Sequence, residues 1–107
     1  MALLKGTLDV LVLKTLSWTP MHGFEIASWI EDRSEGRVVV DDAALLQGLH
    51  RLEERKLVRA AWGVTKNARR ARYYDLTAAG RTFLREESTR LVDHFDALVS
   101  ILNTRRA

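Results

Sequence analysis

The stretch that decides the fold of this chain begins with Asp41-Asp42-Ala43-Ala44-Leu45-Leu46-Gln47-Gly48-Leu49-His50-Arg51-Leu52-Glu53-Glu54-Arg55-Lys56. Leu45, Leu49 and Leu52 recur at helical spacing, so this segment is predicted to be a short helix with one apolar face. Asp41 or Asp42 is suited to cap its first turn.

Two runs rich in β-branched and aromatic residues follow this helix, at 57–62 and 72–76. We expect them to pair as a β-hairpin whose tip is formed by residues 63–71. A helix followed by a basic hairpin is typical of a winged helix-turn-helix. The predicted fold class is therefore mainly α with a small β-hairpin (α+β).

Positive charge is concentrated in the same region. Residues 55–72 hold seven Lys and Arg and no acid, whereas the whole chain carries a formal net charge of only +3. A local positive field of this kind suits a polyanion such as nucleic acid. The alternative is an ordinary solvated surface loop.

Two further helices are expected before this region. Thr7 is placed to cap a first helix that runs to about Leu16, and a second helix is expected to start between Pro20 and Gly23 and to end near Gly36.

The last predicted helix begins at the cap residue Thr77 and carries a heptad pattern of apolar residues. Such a stripe needs a partner, either the body of the protein or a second chain, and we favour a second chain. The expected organisation is a winged-helix DNA-binding domain at 1–76 and a dimerisation helix at 77–107. The expected dimerisation residues are Leu84, Leu91, Phe95, Leu98 and Leu102.

Composition limits the remaining classes. The chain has no cysteine and no apolar run long enough for a membrane span, which predicts a cytoplasmic protein without disulfides. Its three histidines lack metal-ligand spacing, and no nucleophile elbow or glycine-rich phosphate loop is present. We therefore expect no enzyme activity, cofactor or metal.

Several stretches resemble the PadR family of bacterial transcriptional regulators over nearly the whole chain. They are Leu4-Lys5-Gly6-Thr7-Leu8-Asp9, Leu11-Val12-Leu13, Met21-His22-Gly23-Phe24-Glu25-Ile26, His50-Arg51-Leu52-Glu53-Glu54-Arg55, Ala61-Trp62-Gly63, and Arg69-Arg70-Ala71-Arg72-Tyr73-Tyr74-Asp75-Leu76-Thr77-Ala78-Ala79-Gly80. The resemblance implies a homodimeric repressor whose C-terminal helix mediates dimerisation and which a small aromatic or drug-like effector releases from DNA. With one helix after the hairpin, the chain is similar to the short branch of the family.

Three positions depart from the family pattern. A usual Leu-Tyr-Pro is replaced by Leu45-Leu46-Gln47, which removes a tyrosine contact to the DNA backbone. A common tyrosine is Phe24, and a usual glycine after the third helix is Lys56.

We expect the third helix to enter the major groove of an operator with two-fold symmetry, while the hairpin binds flanking phosphate. The candidate DNA-binding residues are Ala43, Ala44, Gln47, His50, Arg51, Lys66, Asn67, Arg69, Arg70 and Arg72. Phe95 and Trp18 are candidates for binding an aromatic effector, although core or dimer packing would also explain them. A winged helix that binds protein rather than DNA is the alternative function.

Overall fold

The computed structural model describes residues 6–106, so Leu4 and Lys5 of the resemblance lie outside the described residues. The helices are Thr7–Leu16 (α1), Gly23–Arg33 (α2), Asp42–Glu54 (α3) and Ala78–Leu102 (α4). The strands are Met21–His22 (β1), Val58–Val64 (β2) and Arg70–Leu76 (β3), in one antiparallel sheet of order β1-β3-β2. This architecture confirms the predicted fold class.

The core forms where α1 meets the other helices. Val12, Leu13 and Leu16 of α1 are buried, and the first half of α4 packs beside α1. Thr15 is also fully buried, and its hydroxyl donates to the Leu11 carbonyl at 2.8 Å, so no polar group is left unpaired there.

α3 has the predicted cap and apolar face. The Asp41 carboxylate accepts a hydrogen bond from the Ala44 amide at 2.9 Å, which satisfies one of the free amides of the first turn. Leu45, Leu49 and Leu52 are all buried in the core, as their spacing predicted. The side of the helix opposite these leucines is available for other contacts.

Two details of the sequence prediction were wrong. The cap position of α1 is Gly6, with φ of 86°, and no side chain caps this helix, so Thr7 lies within α1 instead of capping it. The strands are also longer than predicted, since Val64 pairs with Arg70 and the tip is only residues 65–69. The Thr65 amide donates to the Arg69 carbonyl at 2.8 Å, and this hydrogen bond closes the shorter turn.

The prediction also missed β1. Met21 pairs with Tyr74 and His22 with Tyr73, which adds a third strand to the edge of the hairpin. Two residues are too few to show the alternation by which strands are recognised. The capping box between His22 and Glu25 then starts α2 directly after this strand.

The predicted cap of α4 is confirmed, since the Thr77 hydroxyl accepts from the Gly80 amide at 3.0 Å. Leu84 packs into the core and is 9% exposed. From Val92 onward the side chains of α4 are exposed, and the long axis of the molecule measures 62 Å. Within residues 6–106, no helix combines the length and the apolar character that crossing a membrane requires.

The end of α3 shows why a glycine is usual at position 56. Lys56 has φ of 61°, the left-handed region that residues with a Cβ adopt at a cost. The Lys56 amide donates to the Glu53 carbonyl and the Leu57 amide to the Leu52 carbonyl, both at 2.9 Å. These two bonds form a Schellman motif, which fixes the conformation of Lys56.

We therefore expect Lys56→Gly to stabilise the protein by about 1 kcal/mol, because glycine removes the steric cost of positive φ. A thermal melt followed by circular dichroism is expected to show a rise of about 4 °C. Arg55→Gly is the matched control. Arg55 has φ of −80° and stacks on Phe83, so glycine there removes a contact without relieving strain, and the melting temperature falls. A lower melting temperature for Lys56→Gly would contradict the prediction.

Candidate nucleic-acid interface

The side of α3 opposite the core is largely exposed. We call it the reading face, and it comprises Ala43, Ala44, Gln47, His50 and Arg51. All of them are exposed except Ala44, which is half-buried. Because buried leucines hold the opposite side of the helix, this face is presented outward on a rigid element.

Within residues 6–106, Arg51 is the one member of the reading face whose side chain forms a long-range hydrogen bond. Its guanidinium donates to the Asp9 carboxylate of α1 at 3.1 Å. Gly48 lies beside this pair, and a Cβ added there would approach the Asp9 carboxylate to 3.2 Å. α1 and α3 therefore pack closely enough for the ion pair to form, and the Arg51 side chain is directed toward α1 at the edge of the reading face.

The seven cations of residues 55–72 are not equivalent in the structure. Arg72 pairs with Glu53 at the end of α3 at 3.0 Å, and Arg59 pairs with Asp75 across the hairpin at 3.5 Å. Arg55 lies over the Phe83 ring, 4.7 Å from its centroid. These three cations therefore already have partners in the hairpin, α3 and α4.

The cations near the tip of the hairpin have different surroundings. Lys66 and Arg69 are exposed and form no ion pair within residues 6–106. Arg70 stacks on the exposed Trp62 ring, 4.8 Å from its centroid. We call Lys66, Asn67, Arg69 and Arg70 the wing tip, and it holds positive charge that no described acid neutralises.

The wing tip faces the start of α2 across a groove of about 700 Å³. The α2 side of the groove is formed by His22, Phe24 and Glu25, and the wing tip residues line the other side. The structure therefore brings Lys66, Asn67, Arg69 and Arg70 together, while Arg72 lies closer to α3, where it pairs with Glu53.

The sequence prediction missed an apolar part of this surface. Phe24 is 79% exposed and Leu46 is 51% exposed, and both line a groove of about 270 Å³ between α2 and α3. Phe24 is one of the departures from the family pattern, and Leu46 is part of the replaced Leu-Tyr-Pro motif. The signal in the sequence was Leu46, an apolar residue that lies about 100° around the helix from the buried Leu45. An apolar residue outside the buried side of the helix indicates an apolar surface there.

The predicted dimerisation and effector residues lie in different parts of the molecule. Leu84 belongs to the core and Leu91 is half-buried, whereas Phe95, Leu98 and Leu102 are exposed on the distal half of α4. Trp18 is exposed just after α1. A cleft of about 500 Å³ separates α1 from α4, and its lining residues are Lys14, Ser17, Leu76, Arg81, Leu84, Arg85, Ser88 and Thr89, with neither Trp18 nor Phe95 among them.

The fold has three helices, α1 to α3, followed by a hairpin with a basic tip, and one side of α3 faces outward. This arrangement defines a winged helix-turn-helix protein. The model of the transcriptional regulator PadR-like family matches residues 12–86, more than two-thirds of the 107 residues. The chain belongs to the PadR-like family of transcriptional regulators.

Solved structures share this fold. A transcriptional regulator from Clostridium thermocellum superposes with a TM-score of 0.81 at 19% identity, with 94% of this chain and 96% of that chain covered. A PadR family regulator from Eggerthella lenta gives a TM-score of 0.77 at 26% identity, covering 94% and 86%. PadR of Bacillus subtilis, solved in complex with operator DNA, superposes with a TM-score of 0.66 at 16% identity, with 74% of this chain and 45% of that chain covered.

Proposed function

We propose that this chain is a homodimeric, sequence-specific repressor that binds duplex DNA. The observation that carries the proposal is the placement of uncompensated cations at the wing tip on the same fold that presents the reading face outward. Phosphate contacts supply affinity and orientation, whereas contacts to base edges supply specificity, and this surface offers groups for both. The B. subtilis relative in complex with operator DNA supports the same assignment.

In this proposal, α3 enters the major groove and the wing tip binds the phosphate backbone beside it. Gln47 has the geometry to pair with an adenine edge, and Arg51 with guanine or with phosphate. Ala43 and Ala44 are small enough to let the helix approach the bases closely. His50 contacts the backbone or remains solvated. The pair with Asp9 directs the Arg51 guanidinium toward α1, at the edge of the reading face.

Arg72 has a different part in the same mechanism. Its bond to Glu53 joins β3 of the hairpin to the last turn of α3. Arg72 therefore sets the position of the wing relative to the reading face, in addition to any phosphate it reaches.

Replacing both Arg69 and Arg70 by alanine should weaken DNA binding and reduce its dependence on salt. Each lost phosphate contact lowers the slope of log K against log[salt] by about 0.9, so four contacts per dimer amount to at most about 3.6. Fluorescence anisotropy with labelled duplexes, recovered by selection from a randomised pool, measures this slope between 50 and 200 mM salt.

The matched control removes the same charge elsewhere. Arg105 and Arg106 are exposed beyond the end of α4, so their double alanine variant should leave the slope unchanged. Equal binding by the Arg69/Arg70 variant and the wild type would remove the wing from the mechanism. Binding with almost no salt dependence would favour the alternative, a winged helix that binds protein.

The proposal assigns DNA binding to residues 1–76 and dimerisation to residues 77–107. The distal half of α4 exposes Phe95, Leu98 and Leu102 on one side of the helix, a stripe that a second copy of α4 would bury. A dimer with two-fold symmetry presents two reading faces to one side of a duplex. The operator should then be a pseudo-palindrome with half-sites about one helical turn, or a multiple of it, apart.

Introducing charge into this stripe should prevent dimerisation. The Leu98→Asp/Leu102→Asp variant is expected to be a folded monomer in sedimentation velocity, because neither side chain is part of the core of the protomer. Ser100→Asp places a charge on the opposite side of the same helix turn and should leave the dimer intact. A wild-type protein that sediments as a monomer at working concentrations would contradict the proposal.

We further propose that an aromatic effector binds at the dimer interface and releases the DNA. Phe95 is 38% exposed and has its ring beside His94, at a centroid distance of 5.9 Å, which gives a flat ligand an aromatic surface to stack on. Trp18 is a second candidate contact and would be supplied from the end of α1.

Titration with a panel of aromatic compounds is expected to change the tryptophan fluorescence and to dissociate the DNA complex. Phe95→Ala should weaken both responses, and Trp62→Phe is the control that removes only the tryptophan of the wing. A flat response across the panel would leave Phe95 and Trp18 with packing roles alone.

A further inference from the structure

An apolar patch lies beside the reading face. It consists of Phe24 at the start of α2 and Leu46 on α3, which form the rim of the groove of about 270 Å³. The buried side chains of Leu45 and Leu49 form part of its floor. The patch is therefore a small concave apolar surface, held by the core side of α3.

The patch is continuous with the positively charged groove. Phe24 lines both grooves, with Leu46 on one side and the wing tip on the other. A partner that covers Phe24 therefore meets apolar surface and uncompensated positive charge within the same contact. Duplex DNA has this combination, since charged phosphates flank grooves that carry apolar groups.

The lining of the patch does not suit a phosphate group. None of the lining residues is a cation, and Asp42 places a carboxylate at its edge. An anion is repelled by that carboxylate and loses hydration against the leucines. The apolar group that the major groove presents on a base edge is the C5 methyl of thymine.

We infer that Leu46, supported by Phe24, is a specificity-determining contact for a thymine methyl in each half-site. The inference rests on the proposed function, because it requires α3 to lie in the major groove. Leu46 and Gln47 are neighbours in sequence but point about 100° apart on the helix. They therefore contact different base pairs or different strands, and the apolar contact adds information that polar pairing does not provide.

The test uses duplexes recovered from a randomised pool by the wild-type protein. Each thymine is replaced in turn by deoxyuridine, which removes the C5 methyl and keeps the pairing edge. At one thymine per half-site the wild type should lose affinity by about threefold to tenfold, the value expected when one buried methyl is removed from an apolar contact. Leu46→Ala should bind the thymine and deoxyuridine duplexes equally at that position.

Val92→Ala is the matched control, since Val92 is 56% exposed, similar to Leu46, but lies on α4. Its ratio of thymine to deoxyuridine affinity should equal that of the wild type. Intact DNA binding without sensitivity to any thymine methyl would overturn the inference and leave the proposed function standing. A methyl effect that persists in Leu46→Ala would also overturn it. Failure to bind any duplex at low salt would instead overturn the proposed function.

Discussion

The backbone around Leu57 is the point on which the rest of the structure depends. The Leu57 carbonyl accepts from the Thr77 amide at 3.2 Å, and the Lys56 carbonyl accepts from the Thr77 hydroxyl at 2.7 Å. Gly80 packs so closely against this turn that an added Cβ would lie 2.0 Å from the Leu57 oxygen. These contacts therefore join the end of α3 to the start of α4. They also bring together the first residue of the β2 strand and the last residue of β3. Any side chain at position 80 would force α4 away from the end of α3.

The charged residues of the hairpin divide into two groups because of the same geometry. Arg59, near the base, pairs with Asp75 across the hairpin, and Arg72, further toward the tip, pairs with Glu53 of α3, both within 3.5 Å. At the tip, Lys66 and Arg69 form no ion pair with any described acid. The pair between Arg72 and Glu53 favours one orientation of the hairpin against α3, so the positive charge at the tip is presented in a defined direction. A surface ion pair of this kind adds little stability, and its value here lies in orientation.

Features that depend on residues close together in the sequence were predicted. The leucine spacing of α3, the Asp41 and Thr77 caps and the departure from glycine at Lys56 all act within a few residues, and the structure confirms each of them. Contacts between residues that are far apart in the sequence could not be predicted in this way. Arg51 and Asp9 are 42 positions apart, and Arg72 and Glu53 are 19 apart, so no periodicity indicates that these charges neutralise one another. β1 was missed for the related reason that its hydrogen bonds are made to a strand some fifty residues away. The set of candidate DNA-binding residues was thus recognisable as a group, while the different surroundings of its members were not.

The two halves of α4 differ in what stabilises them. Its first half is stabilised by the core through Leu84, and its distal half exposes apolar side chains such as Leu102, which is 81% exposed. In residues 92–102 the side chains are exposed in the described part of the chain, and an isolated helix of about eleven residues is only marginally stable in water. Burial of this stripe against a second copy would stabilise the helix and remove apolar surface from solvent in one step. Because the start of α4 is fixed at Leu57, the position of such a partner would be transmitted through a rigid joint to α3 and the hairpin. The spacing between two reading faces on α3 would then depend on a contact made on α4, some 20 residues beyond this joint.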